Sequence, residues 1–109
     1  MNGHRELQMY LPLTESTYYI LLVLVEPLHG YGVMQKVREI SKGLVEIGPG
    51  TLYGAFSKLL KEGLIRKVKE ENRRKTYTLT PKGQEVLRIQ IRRFEIMANE
   101  GLKIFDTLG

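Results

Sequence analysis

Between Ile47 and Ile65 the chain reads IGPGTLYGAFSKLLKEGLI, a stretch that fits little except a short helix with two unlike faces. Pro49 suits a first helical position, where its missing N–H is not needed and its fixed φ is already helical; Gly48 before it is an acceptable N-cap. Leu52, Phe56, Leu59 and Leu60 recur at helical spacing and predict one apolar stripe on a helix about four turns long. Gly63 is placed to end the helix in the left-handed region, with Lys58 and Lys61 near the negative end of its dipole. The opposite face carries Gly50, Gly54, Ser57 and Lys61, with Thr51, Tyr53 and Lys58 at its margins. Small residues and hydroxyls on such a face add little to a core. They let a helix press against another surface and hydrogen-bond to it.

The flanking segments supply the rest of a small domain. Residues 1–12 form an N-terminal arm of weak organisation, in which Leu7, Tyr10 and Leu11 can pack one side of a short helix. Thr14 is an N-cap, with Glu15 in the first turn, for a helix whose apolar run Tyr18–Val25 predicts burial on most sides. His29-Gly30-Tyr31-Gly32 opens a second helix, with Val33, Met34, Val37 and Ile40 at helical spacing and Gly43 ending it. His29 reads as a structural or capping residue, and the two glycines as marks of close backbone packing or close approach to a ligand. Leu44–Ile47 is a brief apolar link with room for one short strand. Ile65–Lys69 and Lys75–Leu79 then flank the polar turn Glu70–Arg74 as a hairpin; Tyr77 and Leu79 alternate with Thr76 and Thr78, whereas Ile65 and Val68 fall on opposite faces.

Charge is concentrated here. Between Lys58 and Lys75 eight Lys or Arg stand against three Glu, an excess equal to the whole chain's net charge of +5. A local basic stretch beside an outward-facing helix is the footprint expected for nucleic acid, although a solvated charged hairpin has the same composition.

Thr80 and Pro81 begin the last helix, predicted to run to about Leu108. Leu87, Ile91, Phe94, Ala98, Gly101, Phe105 and Leu108 follow alternating steps of four and three, the seam of a helix that pairs with another. Val86, Ile89, Ile96 and Ile104 stand beside the seam, more apolar surface than one small domain covers. Phe94, midway along, either closes a dry seam between two copies or lines an apolar slot for a flat aromatic compound. Tyr18, Tyr19 and Met97 would then be its walls, with Glu95 or Glu100 near the mouth.

The order helix, helix, outward-facing helix, hairpin, long helix predicts a mainly α fold with a small β hairpin. It is a winged helix-turn-helix over residues 13–80, followed by a C-terminal dimerisation helix over 81–109. The third helix would enter the major groove while the hairpin reaches the flanking backbone. Candidate DNA-contacting residues are Thr51, Tyr53, Ser57, Lys58 and Lys61 on the helix and Arg73, Arg74 and Lys75 on the hairpin. Tyr53 neighbours Leu52, so its ring has a competing place in the core. The chain has no cysteine, its two histidines, His4 and His29, are far apart, and Gly48-x-Gly50 lacks the lysine and spacing of a phosphate loop. No cofactor, metal site or enzymatic activity is expected. With no leader and no apolar run long enough for a bilayer, a cytoplasmic protein without membrane contact is expected.

Several pieces together resemble the PadR-like bacterial transcriptional regulators. They are Leu13-Thr14, Pro27-Leu28-His29-Gly30-Tyr31-Gly32, Gly48-Pro49-Gly50-Thr51-Leu52-Tyr53, Glu62-Gly63-Leu64-Ile65, Arg73-Arg74-Lys75 and Tyr77-Thr78-Leu79-Thr80-Pro81-Lys82-Gly83, in that order. The resemblance covers about Leu13 to Arg93. It implies a homodimeric winged-helix repressor of a palindromic operator, often one answering to small aromatic or cationic compounds. It places Thr51 and Tyr53 at the start of the recognition helix and Arg73, Arg74 and Lys75 in the wing. A single C-terminal helix resembles the compact branch of that family. Gln90 departs from the acidic residue the family often has there, and the absence of tryptophan weakens a ligand-stacking role. Two other readings stay open: a winged-helix module whose basic hairpin binds an acidic protein partner, and RNA binding, for which stacking aromatics on an exposed sheet are not evident.

Overall fold

A computed structural model describes residues 6–109. Met1 to Arg5 of the predicted arm, His4 among them, lie outside the described residues. Within the rest of the arm Gln8–Tyr10 form a short 3₁₀ helix. It is pinned where Leu13 N–H donates to the buried Gln90 Oε1 at 2.8 Å.

Thr14 caps α1 (Glu15–Val23), its hydroxyl oxygen accepting from Thr17 N–H. Ile20, Leu21, Val23 and Leu24 are buried; Val25, beyond the helix end, is exposed. The apolar run therefore outlasts its helix by two residues. Helix α2 (Gly30–Ile40) is capped by His29, whose Nδ1 accepts from Gly32 N–H at 3.1 Å. Val33 and Val37 face the core, while Ile40 is largely exposed.

The link before the third helix is not a strand. Ser41, buried at the end of α2, accepts the Val45 N–H and so holds the link as a loop, with Val45 and Ile47 buried and Leu44 exposed. Pro49 opens α3 (Pro49–Lys61), with Gly48 as N-cap. Leu52, Phe56 and Leu59 form its buried stripe. Leu60 is 39% exposed and drops out of the predicted stripe, because the core meets a narrower arc of this helix. Gly63 has φ +73°, and Leu64 N–H reaches back to Leu59 C=O, the six-to-one bond of a Schellman ending.

Two strands follow, β2 (Ile65–Glu71) and β3 (Arg74–Leu79). The five-residue turn expected from sequence is a two-residue one. Asn72 and Arg73 both have positive φ (51° and 66°), as a type I′ turn requires. A bulge between Lys67 and Lys69 leaves Val68 without a partner on β3, which is why Ile65 is buried and Val68 turned out. The sheet has a third member that sequence reasoning missed. The two-residue strand β1 (Leu28–His29) pairs with Tyr77 and Thr76, giving the antiparallel order β1-β3-β2.

Thr80 caps α4 (Pro81–Phe105), which a final 3₁₀ turn, Asp106–Leu108, extends. Val86, Leu87, Ile89 and Gln90 are buried against the domain, and from Glu95 onward every residue is exposed. The free half of α4 stretches the molecule to 54 Å and its radius of gyration to 15.5 Å. A compact chain of this size would have a radius of gyration of about 13 Å.

Candidate nucleic-acid interface

The outward face of α3 is made as the sequence suggests, and its glycines are informative. A Cβ added at Gly50 or Gly54 would meet nothing within 4 Å. Glycine in an exposed helix costs about 1 kcal/mol relative to alanine. Nothing among the described residues repays that cost, so the smooth face is suited to a surface outside the chain. Thr51, Ser57, Lys58 and Lys61 are all exposed on this helix.

Tyr53 resolves its two competing roles by holding both. Its ring packs edge-on against core Phe56 at 5.9 Å, yet the residue is 52% exposed. Its hydroxyl lies over Gly30, 2.5 Å from where a Cβ would stand. Gly30 is thus the close backbone approach that the sequence suggested, and it is Tyr53 that approaches.

Ion pairing divides the basic stretch into two kinds. Lys67 meets Glu70 at 3.2 Å and Lys69 meets Glu71 at 3.5 Å, so these cations are partly neutralised. Among the described residues no carboxylate lies within ion-pair distance of Arg73, Arg74 or Lys75. Lys58, Lys61 and Arg66 have no ion-pair partner among the described residues either, so the unneutralised charge lies at the end of α3, at the base of β2 and at the wing tip. There Arg73, Arg74 and Lys75 line an open cleft of about 430 Å³ together with His29, Tyr31 and Tyr53. The cleft brings together four of the predicted residues: Tyr53 and the three wing cations. Thr51, Ser57 and Lys61 are not among its lining, and Lys58 borders a separate notch beside Tyr10 and Thr17.

Tyr31 was missed in the sequence. It is 61% exposed, and its hydroxyl accepts from Gln35 Nε2 while keeping its own proton to donate. It borders both the wing cleft and the groove running to Gly48 and Pro49 at the start of α3. An aromatic hydroxyl set between two glycines at a helix start was the available signal. Guanidinium groups and phenol side chains lining one open cleft are suited to a phosphodiester, where charge and hydrogen bonds act on the same oxygens. Among the described residues no three His, Asp or Glu side chains gather as a metal site, and no helix is long and apolar enough to cross a membrane.

The predicted pairing seam divides as well. Leu87 is 5% exposed and belongs to the domain's own core, so it leaves the proposed seam. Phe94 turns inward, edge-on to Tyr18 at 4.7 Å and 87°; Tyr18 in turn meets Tyr19 at 5.5 Å. Phe94 is therefore engaged by its own chain, through α1. Burial, with a smaller contribution from Tyr19, raises the Tyr18 pKa above the usual phenol value. Ile91, Met97, Ala98, Gly101 and Phe105 are exposed.

The profile described as the transcriptional regulator PadR-like family matches residues 20–89. An uncharacterized 37.1 kDa protein in transposon TN4556 of Streptomyces fradiae is 35% identical over 81 residues, which are 74% of this chain but 22% of that protein. The chain thus spans under a quarter of that relative's length. Among solved structures, a transcriptional regulator from Clostridium thermocellum superposes with a TM-score of 0.70 at 26% identity, covering 94% of this chain and 97% of the other. Bacillus subtilis PadR, solved in complex with operator DNA, gives 0.59 at 28% identity over 69% of this chain and 46% of its own.

Proposed function

The chain belongs to the PadR-like family of transcriptional regulators, and from that premise we propose that it is a homodimeric repressor that binds a palindromic operator in duplex DNA. The observation that carries this reading is the cleft that Tyr31 and Tyr53 line together with Arg73, Arg74 and Lys75, which have no ion-pair partner among the described residues. Helix α3 lies in the major groove, with Thr51, Ser57, Lys58 and Lys61 toward bases and adjacent phosphates. The wing and Tyr31 grip the flanking strand. That Bacillus subtilis PadR has been solved on its operator supports the mode.

Dimerisation falls to the exposed side of α4, where Ile91 and, in its free half, Ala98, Gly101 and Phe105 lie exposed along the four-three spacing. Arg93 adds support: among the described residues its buried Nε–H has no acceptor. A buried donor left unpaired costs about 1–3 kcal/mol, which a second copy can relieve. An aromatic effector in the cytoplasm would act where the two α4 helices cross, near Tyr18, Tyr19, Phe94 and Met97. It would change DNA affinity only by preferring one angle between the recognition helices.

The test is selection from a random duplex library at physiological salt. A two-fold symmetric site with half-sites about 34 Å apart, or a multiple of that, is expected. Equal binding to the selected and the random duplex refutes the reading.

A further inference from the structure

The segment Thr80-Pro81-Lys82-Gly83 does more than start α4. We infer that it is a clamp fixing the angle between the recognition helix and α4, with Lys82 as its positioning residue. Helix α3 ends with carbonyls that no intrahelical N–H can reach. Its last-turn carbonyls, of Lys58, Leu59 and Leu60, are met by Glu62, Leu64 and Gly63 N–H, and the next three carbonyls, of the C-cap Glu62 and of Gly63 and Leu64 beyond it, are taken up by this one segment. Lys82 Nζ donates to Glu62 C=O at 2.9 Å, Thr80 Oγ to Gly63 C=O at 2.6 Å, and Thr80 N–H to Leu64 C=O at 3.1 Å. The same Thr80 oxygen accepts from Gly83 N–H and caps α4, so a single atom ties the end of one helix to the start of the other. Gly83 allows the contact: a Cβ there would land on the carbonyl oxygen of Leu64.

Lys82 also donates to the Tyr10 hydroxyl at 2.6 Å and lies 4.6 Å from the centre of its ring. The arm thereby holds the ammonium over the Glu62 carbonyl. A structural cap would need only the α4 bonds. Here charge-assisted bonds run across two elements instead, one of which faces outward with α3 while the other carries the free apolar arm.

The functional consequence rests on the DNA-binding reading: in a dimer joined through α4, the clamp sets the separation of the two recognition helices. The chain has no cysteine, so thiols can be placed at will. Spin labels on Ser57→Cys and Asn99→Cys of one chain, diluted with unlabelled protein, report the angle between α3 and α4 without DNA. The wild-type background should give one narrow distance. Lys82→Met and Thr80→Val should each broaden it about twofold, since charge-assisted or capping bonds at the junction are removed, and Lys82→Arg should restore it. In parallel, unlabelled protein is titrated with its selected palindrome and with versions one or two base pairs longer or shorter at the centre. Each base pair turns one half-site by roughly 35° relative to the other, so the wild type should lose about tenfold per step and Lys82→Met far less.

An unchanged distance distribution in folded Lys82→Met overturns the inference, as does a spacing preference as sharp as wild type. Helical circular dichroism of each variant separates loss of the clamp from loss of the fold. If the wild type selects no duplex, the DNA reading fails, and the label distances still decide whether the clamp exists.

Discussion

Arg74→Ala isolates what the wing contributes, because among the described residues no carboxylate neutralises Arg74 while Lys67 has Glu70 at 3.2 Å. Removing one phosphate-neutralising cation lowers the slope of log K against log salt by about 0.9 on duplex DNA. A dimer carries two wings, so the slope should fall by about 1.8. Between roughly 50 and 200 mM salt, a fourfold change, the affinity deficit of the variant should therefore shrink about twelvefold. Fluorescence anisotropy of a labelled palindrome, titrated at four or more salt concentrations, measures this directly. The deficit should be the same on random duplex, since a bond to phosphate carries no sequence information. Lys67→Ala is the control and should change the slope much less. An unchanged slope for Arg74→Ala, or an equal drop for Lys67→Ala, would refute the assignment of free charge to the wing tip.

Phe105→Asp changes a side chain that is 65% exposed in the single chain, so the domain should stay folded while the paired state loses several kcal/mol; sedimentation should show a helical monomer. A wild type that is a folded monomer at micromolar concentration would contradict this. Gly83→Ala forces a methyl against the Leu64 carbonyl and strains the Thr80–Leu64 bond, at a cost of about 2–4 kcal/mol, read as a lower urea midpoint with the same m-value. A shift below about 0.5 kcal/mol would mean that the close approach is not real. Because the Tyr18 pKa is raised in the fold, its contribution is intact below the unfolded phenol value near 10 and is lost as pH rises through the higher folded value. Melting temperature should fall as pH rises above the ordinary phenol value of about 10, and less steeply in Tyr18→Phe; equal slopes would remove the burial at Tyr18 as the cause.

Local rules written into adjacent residues were legible in the sequence. The caps Thr14 and Thr80, the stop at Gly63, and Pro49 at a helix start are contacts within a few residues, and all stand in the structure. What escaped depends on partners far along the chain. Two residues, Leu28 and His29, hold no strand periodicity; they are a strand only because β3 arrives beside them. Val68 reads as a broken alternation until the bulge is seen. Gln90 is a polar residue in an apolar run whose reason, the Leu13 N–H, lies 77 positions away. For the interface, the residue types on α3 and the wing were readable. Which cations are already neutralised, and that Tyr31 shares their cleft, required the fold. Phe94 is a similar case: its spacing along α4 is that of a seam, and only the fold shows that Tyr18 of the same chain packs against its ring.

The width of the sheet changes along the wing, and this sets how the hairpin breathes. At its base β3 is bonded on both sides, to β1 at Tyr77 and Thr76 and to β2 throughout; beyond Thr76 only β2 continues, out to the Glu71–Arg74 pair. A two-stranded ribbon by itself is marginal in water, whereas three strands packed on helices are not. Amide hydrogens should therefore exchange slowly at Tyr77–Leu79, near the rate set by global unfolding, and quickly at the Asn72–Arg73 turn through local opening. Arg73, Arg74 and Lys75 sit on the fast end of that gradient, so they can follow a backbone whose width varies from one sequence to the next, while α3, packed through Leu52, Phe56 and Leu59, stays in register.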